Sequence, residues 1–202
     1  MQLAGIVLAG GESRRMGEPK AWLPFGRPGG TMLTEVVATV RKVCEPVVVV
    51  AAPEQSLPEL PDDVQILRDP VPGQGPLAAL VTGLSALPEH VDAVFLCSCD
   101  VPLLSAEFIT GLAEHMRSND DFVVPRDRDI RHPLAALYRP TVISVAHELL
   151  SHGTRSLQKM LDQLSGREIS GDDLRQLDPD GVNLLNVNLP EDHQRALELY
   201  QR

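Results

Sequence analysis

Aromatic side chains are scarce in this chain: Trp22, Phe25, Phe95, Phe108, Phe122, Tyr138 and Tyr200 are the seven among 202 residues. Stacking platforms of the single-strand-binding kind are therefore not expected, and the core must be built from Val, Leu, Ile and Ala. Cysteine is scarce too. Cys44, Cys97 and Cys99 are odd in number and lack CxxC spacing, which excludes a disulfide framework or a zinc site and fits a reduced, cytoplasmic compartment. Positive charge is in deficit, 18 Lys and Arg against 28 Asp and Glu for a net −10, so a nucleic-acid polymer would be repelled by the chain as a whole. Long apolar runs are missing as well. The opening MQLAGIVLAGGE has no cationic leader, and the uncharged stretch 70–88 is broken by Pro70, Pro72, Gly73, Gly75, Pro76, Gly83 and Pro88; neither a signal peptide nor a membrane helix is expected.

What is present suffices for folding. With 43% hydrophobic and 23% charged residues the composition is that of a globular protein, and 202 residues are expected to make a single domain without disulfides or a structural metal. Leu3–Ala9 reads as a buried strand halted by Gly10-Gly11, and a helix is expected over Thr31–Cys44 from the spacing of Leu33, Val36, Val37, Val40 and Val43. Pro46–Ala52 is an almost pure valine strand, apolar on both faces as in a parallel sheet covered by helices. The alternation continues with a strand at Val64–Leu67, a helix at Leu77–Leu87, a strand at Val91–Cys97, a helix at Ser105–Arg117 capped by Ser105, and a strand at Phe122–Pro125. Beyond residue 126 the pattern predicts a strand at Leu134–Tyr138, helices at Thr141–Leu150 and Ser156–Leu164, a polar surface excursion over Gly166–Gly181, a strand at Val182–Val187 and a closing helix at Pro190–Tyr200. The expected class is α/β: a three-layer Rossmann-like fold with a mostly parallel central sheet, whose ligands sit at the carboxyl ends of the strands.

The sharpest feature is LAGGESRRMGEPK, Leu8 to Lys20, a glycine-rich loop directly after the first strand. Glycines let main-chain N–H groups approach a phosphate closely, while Arg15 and Lys20 supply cations for anionic oxygens. The loop is neither a Walker loop, since no Gly-Lys-Ser/Thr closes it, nor a GxGxxG dinucleotide fingerprint. The span Leu8–Arg27 sets Arg14, Arg15, Lys20 and Arg27 against only Glu12 and Glu18, whereas residues 168–202 hold eight acids against three bases. The chain is acidic with a basic mouth, suited to a small polyphosphate.

This loop resembles the signature LAGGxSxRMGxxK of a nucleotidyltransferase superfamily, and within it the molybdenum cofactor guanylyltransferases. Gly75-Pro76-Leu77, Cys99-Asp100-Val101-Pro102, His132-Pro133, Gly153-Thr154-Arg155 and Asn186-Val187-Asn188-Leu189-Pro190-Glu191-Asp192 resemble further segments of that family in order. The resemblance implies transfer of GMP from GTP to the terminal phosphate of molybdopterin, with release of pyrophosphate and with Mg²⁺ as cofactor. CTP with the same mechanism, another phosphorylated acceptor such as a sugar phosphate, or a non-catalytic nucleotide-binding protein are the alternatives. It further implies a nucleotide-binding half over about 1–125 and an acceptor-binding half over about 126–202, with molybdoenzymes or other cofactor-biosynthesis proteins as partners.

Residue by residue, the resemblance assigns catalysis to Arg15, Lys20 and Asp100, the last also as metal ligand just past an apolar strand. It assigns nucleotide binding to Leu8, Ala9, Gly10, Gly11, Ser13, Lys20, Asp69, Gly75 and Asp100, and acceptor binding to Arg155, Asn186 and Asn188, one asparagine adding a metal contact. His132 is given no catalytic role, and Cys97 and Cys99 are read as buried small residues. Two departures stand out. Val50 occupies a place where the family often has a nucleotide-contacting asparagine, which leaves base discrimination to main-chain groups or Asp69. Leu189 replaces a threonine before Pro190, removing a side-chain cap on the last helix at a cost of about 1 kcal/mol.

Overall fold

The computed structural model describes residues 1–10, 17–69 and 73–201. Its strands are β1 (Leu3–Leu8), β2 (Val47–Ala51), β3 (Val64–Arg68), β4 (Ala93–Ser98), β5 (Phe122–Asp127), β6 (Ile130–Arg131), β7 (Ala135–Tyr138) and β8 (Gly166–Ile169). The helices are α1 (Met32–Val40), α2 (Gly75–Leu84), α3 (Ala106–Glu114), α4 (Ile143–Ser151), α5 (Leu157–Leu161), α6 (Gly171–Leu177) and α7 (Pro190–Tyr200), with short 3-10 turns at Lys20–Trp22 and Pro140–Val142. One eight-stranded sheet runs β3-β2-β1-β4-β7-β5-β6, with β8 also paired to β5. The β3-β2-β1-β4 half is parallel, whereas β7 is antiparallel to both β4 and β5. Among the described residues no helix is long and apolar enough to cross a membrane.

Alternate residues of each central strand enter opposite cores. Val7, Val49, Phe95 and Cys97 pack with α1, α3 and α6 on one face, while Ile6, Val48, Val50, Val94 and Leu96 pack with α2, α4 and α5 on the other. This is why the strands read as unbroken apolar runs, and it makes the three layers expected from them. The helices are cut where the sequence offers caps. Thr31 and Thr34 bond each other's main chain at the start of α1, and Ser105 Oγ accepts from Phe108 N at 3.1 Å at the start of α3. Ser105 is also tied to the buried Asn183, whose Oδ1 accepts from its N–H and its hydroxyl. Ser105→Ala is therefore expected to destabilise the protein by about 1.5 kcal/mol, read as a lower urea midpoint with an unchanged slope.

Two sequence expectations are corrected. The polar stretch 166–181 is not a surface excursion: β8 pairs in parallel with β5 and α6 follows it. Four residues are too few to display an alternation, and Arg167 and Glu168 look like loop residues until seen paired with Asp120 and Arg126. Gly166 is required by close approach, since a Cβ there would lie 2.5 Å from the Phe122 carbonyl oxygen. Conversely, 182–187 is not a strand. The buried Asp178 carboxylate takes the main-chain N–H groups of Val182 and Asn183, so side-chain bonding replaces a ladder, and Val187 N–H donates to the carbonyl of Asp100 at 2.8 Å.

A third, smaller cluster joins Leu23, Phe25, Met32, Val187 and Ala196. It seats α7 against the segment between the glycine loop and α1. Phe25 meets Tyr200 edge-on with centroids 5.2 Å apart, and His193 Nε2 donates to the Pro24 carbonyl at 2.8 Å. Leu189 has no acceptor to cap α7, as expected, yet its N–H and that of Asn188 are met by Asp192 Oδ2 at 2.8 and 2.9 Å. The start of the helix is thus capped from within its first turn.

Candidate active site

All the parallel strands deliver their carboxyl ends to one edge. The ladder between β1 and β4 ends where Cys99 N–H donates to the Leu8 carbonyl at 3.0 Å, so Asp100 stands one residue beyond, beside Ala9 and Gly10. Its carboxylate is fixed on both oxygens: Oδ1 accepts from the Ser98 hydroxyl, and Oδ2 lies 3.1 Å from Lys20 Nζ. The same ammonium donates to Asn188 Oδ1 at 2.8 Å. Lys20 comes from the 3-10 turn after the glycine loop, Asp100 from the end of β4, and Asn188 from the approach to α7. Three segments distant in sequence meet at one positive charge.

The placement of Asn188 follows from its neighbours. Val187 is fully buried and bonded to the Asp100 carbonyl, and Asp192 holds the N–H of Asn188 itself. Of the other sequence-predicted residues, Asp69 follows β3 and its N–H extends the β2–β3 ladder to the Ala51 carbonyl at 2.8 Å. Gly75 opens α2 with a φ of +80°, and an added Cβ would come within 3.2 Å of Arg155. Arg155 is exposed and donates to the Gly73 carbonyl at 3.0 Å, so it clasps the entry to α2. It also lines an open groove of about 390 Å³ with Pro76, Pro133, Leu134 and Gln158. Asn186 is exposed, its amide reaching only the Leu184 carbonyl at 3.5 Å; the structure does not bring it to Lys20 and Asp100. Gly11, Ser13 and Arg15 lie outside the described residues.

Val50 stands next to the last residue of β2. Its side chain is 2% exposed and packed beneath α2, because the alternation of β2 points residue 50 into the core. Cys97 and Cys99 are buried as expected, and so is Cys44. Burial pushes the Cys99 thiol up to about 12, with the Asp100 carboxylate adding to the rise and Lys20 opposing it. Cys97 is raised by the same cause, and Cys44 to about 12. These thiols stay protonated at neutral pH and offer no nucleophile. His132 is half-buried, and its pKa is lowered by that burial, partly offset by Asp127.

Sequence reasoning passed over Ser98 and Gln55. Ser98 precedes Asp100 by two residues, so strand geometry puts both on one side, and that spacing was a usable signal. Gln55 carried none: it lies in the loop after β2, where its carboxamide bonds both the Ala9 carbonyl and the Ala52 N–H.

Could the edge hold a divalent cation? Asp100 Oδ2 and Asn188 Oδ1 already converge on one cationic atom, the Lys20 ammonium, and both are hard oxygen donors of the kind magnesium takes. Among the described residues no group of three or more His, Cys, Asp or Glu could form a metal cage.

Comparison with known proteins gives the following. Residues 5–168 match the MobA-like NTP transferase domain. The chain is 42% identical over 195 residues to a probable molybdenum cofactor guanylyltransferase of Mycobacterium avium, covering 95% of this chain and 93% of that protein. A Mycobacterium tuberculosis protein of the same name is 43% identical over 190 residues, covering 92% and 89%. In fold, the chain superposes on molybdopterin-guanine dinucleotide biosynthesis protein A of Archaeoglobus fulgidus with a TM-score of 0.80 at 22% identity, over 100% of this chain and 99% of the other.

Proposed function

This chain belongs to the MobA-like NTP transferase family and is a nucleotidyltransferase, and on that premise we propose that it transfers GMP from GTP to the terminal phosphate of molybdopterin, forming molybdopterin guanine dinucleotide and pyrophosphate. The observation that carries this reading is the convergence of Lys20, Asp100 and Asn188 at the carboxyl edge, directly after the glycine loop. An acceptor phosphate oxygen forms the new bond to the α-phosphorus, the bond from that phosphorus to the bridging oxygen breaks, and the pair of electrons leaves with pyrophosphate.

Such chemistry asks little proton transfer of the protein. A phosphomonoester has its second pKa at about 6 and arrives largely as the dianion, which agrees with a site whose thiols are protonated and where, among the described residues, a carboxylate, an amide and an ammonium converge. The demand is for charge neutralisation and in-line placement. Lys20 answers the first with a positive charge, and Gly10 N–H offers a main-chain donor. A magnesium ion held by Asp100 and Asn188 would, when bound, neutralise triphosphate oxygens as a Lewis acid. Arg15, Gly11 and Ser13 are assigned to the triphosphate with Leu8, Ala9, Asp69 and Gly75. Arg155, on the groove beside α2, is assigned to the acceptor together with Asn186 and Asn188.

The residues from about 1 to 125 then serve the nucleotide and those from about 126 to 202 the acceptor, within one domain acting in the cytoplasm and supplying molybdoenzymes. With Val50 in the core, no side chain at that position argues for cytosine. A panel of GTP, CTP, ATP and UTP, each with molybdopterin and Mg²⁺, tests the base assignment. GTP is expected to exceed the others in kcat/KM by about a hundredfold or more, and equal turnover of CTP would overturn the guanine assignment while keeping the mechanism.

A further inference from the structure

Gln55 sits at a break in the sheet. Ala9 N–H donates to the Val50 carbonyl at 2.9 Å, and in a parallel ladder the next bond would run from Ala52 N–H to the Ala9 carbonyl. That bond is replaced by a side chain. Ala52 N–H donates to Gln55 Oε1 at 3.1 Å, and Gln55 Nε2 donates to the Ala9 carbonyl at 2.7 Å. The carboxamide is a spacer that splays the ends of β1 and β2 while keeping both groups satisfied.

The turn that carries it is itself held. Gln55 N–H donates to the Ala52 carbonyl at 3.2 Å, and one Arg68 Nη1 donates to the carbonyls of Ala52 and Gln55 at 3.1 and 2.6 Å. Trp22 Nε1 donates to the next carbonyl, that of Ser56, at 3.0 Å. Trp22 belongs to the same 3-10 turn as Lys20, so the Gln55 turn is braced against the segment that supplies the site's ammonium.

Planarity of the peptide turns this contact into a direction. In a trans peptide the carbonyl of residue i and the N–H of residue i+1 point opposite ways. With the Ala9 carbonyl pinned toward β2, the Gly10 N–H faces the other neighbour of β1, which is β4 with Asp100 at its end. Continuing the β1–β4 ladder would bring Gly10 N–H to the Cys99 carbonyl, but among the described residues neither main-chain group of Gly10 has a partner. A donor is thus aimed at the opening beside Lys20 and Asp100.

We propose that Gln55 is a positioning residue for the triphosphate: it locks the Ala9–Gly10 peptide so that Gly10 N–H is the first main-chain donor to the phosphate oxygens. The inference rests on the nucleotidyl-transfer reading above. A preset donor strengthens binding of the anion without entering the bond-making step, so its loss raises KM and Kd and leaves kcat.

The test measures GTP binding by calorimetry in the presence of Mg²⁺, together with steady-state kinetics, for the wild type, Gln55→Ala and Gln55→Glu. Glutamate fills the same space and still accepts from Ala52, but as a carboxylate it cannot donate to Ala9. Both variants are expected to weaken GTP binding and raise its KM by about tenfold, with kcat within about twofold and an unfolding midpoint shifted by no more than a few degrees. If the wild type binds GTP and either well-folded variant binds it equally tightly, or if kcat falls while KM stays, the inference is overturned. If the wild type binds no triphosphate at all, the proposed function falls and this inference with it.

Discussion

Asp100→Ala is expected to lower pyrophosphate release by about a thousandfold or more, without unfolding the protein. The residue's two roles are separable. Its main chain closes the fold by accepting from Val187 N–H, which alanine preserves, whereas its carboxylate meets Ser98 and Lys20 at the sheet edge. That carboxylate is 20% exposed, so removing it is expected to cost only about 1 kcal/mol of stability. Asp100→Asn keeps the shape and removes the charge. If charge is what the site needs, the asparagine variant falls nearly as far as alanine, and added Mg²⁺ does not restore it. Activity within about tenfold of wild type in either variant would remove Asp100 from the chemistry.

Lys20→Ala is expected to reduce kcat/KM by about a hundredfold or more. The ammonium touches both Asp100 and Asn188, and a triphosphate arriving there brings several negative charges to a place that already holds a carboxylate. Lys20→Arg retains the charge, but its planar fork cannot occupy the compact position between two oxygens, and about a tenfold loss is expected. Because Lys20 is partly exposed, its loss should move the unfolding midpoint little. A fall in activity matched by a large loss of stability would instead make Lys20 a structural tie between the glycine loop and α7.

Much of this arrangement was legible in the residues. The valine run of β2 and the apolar β1 and β4 declare strands buried on both faces, and Ser105 marks the start of α3. Lys20 and Asp100 were singled out by resemblance, and the structure places them 3.1 Å apart. The rest is set by distant partners and side-chain bonding that a local residue pattern does not display. β8 has one buried apolar residue, Ile169, and depends on the distant β5, with Phe122 opposite Gly166. The segment 182–187 has strand composition but is organised by the side chain of Asp178. Gln55 is an ordinary polar loop residue until the missing ladder bond between β1 and β2 shows what it replaces.

The central claim is that the edge where Gly10, Lys20 and Asp100 meet activates a triphosphate for attack by an acceptor phosphate. It is tested most directly by following pyrophosphate from wild-type protein with GTP and Mg²⁺, with and without molybdopterin, and identifying the product by mass. The account predicts release only when molybdopterin is present, in equal amount with molybdopterin guanine dinucleotide. Pyrophosphate released at the same rate without an acceptor, or no release with molybdopterin and any triphosphate, would contradict it.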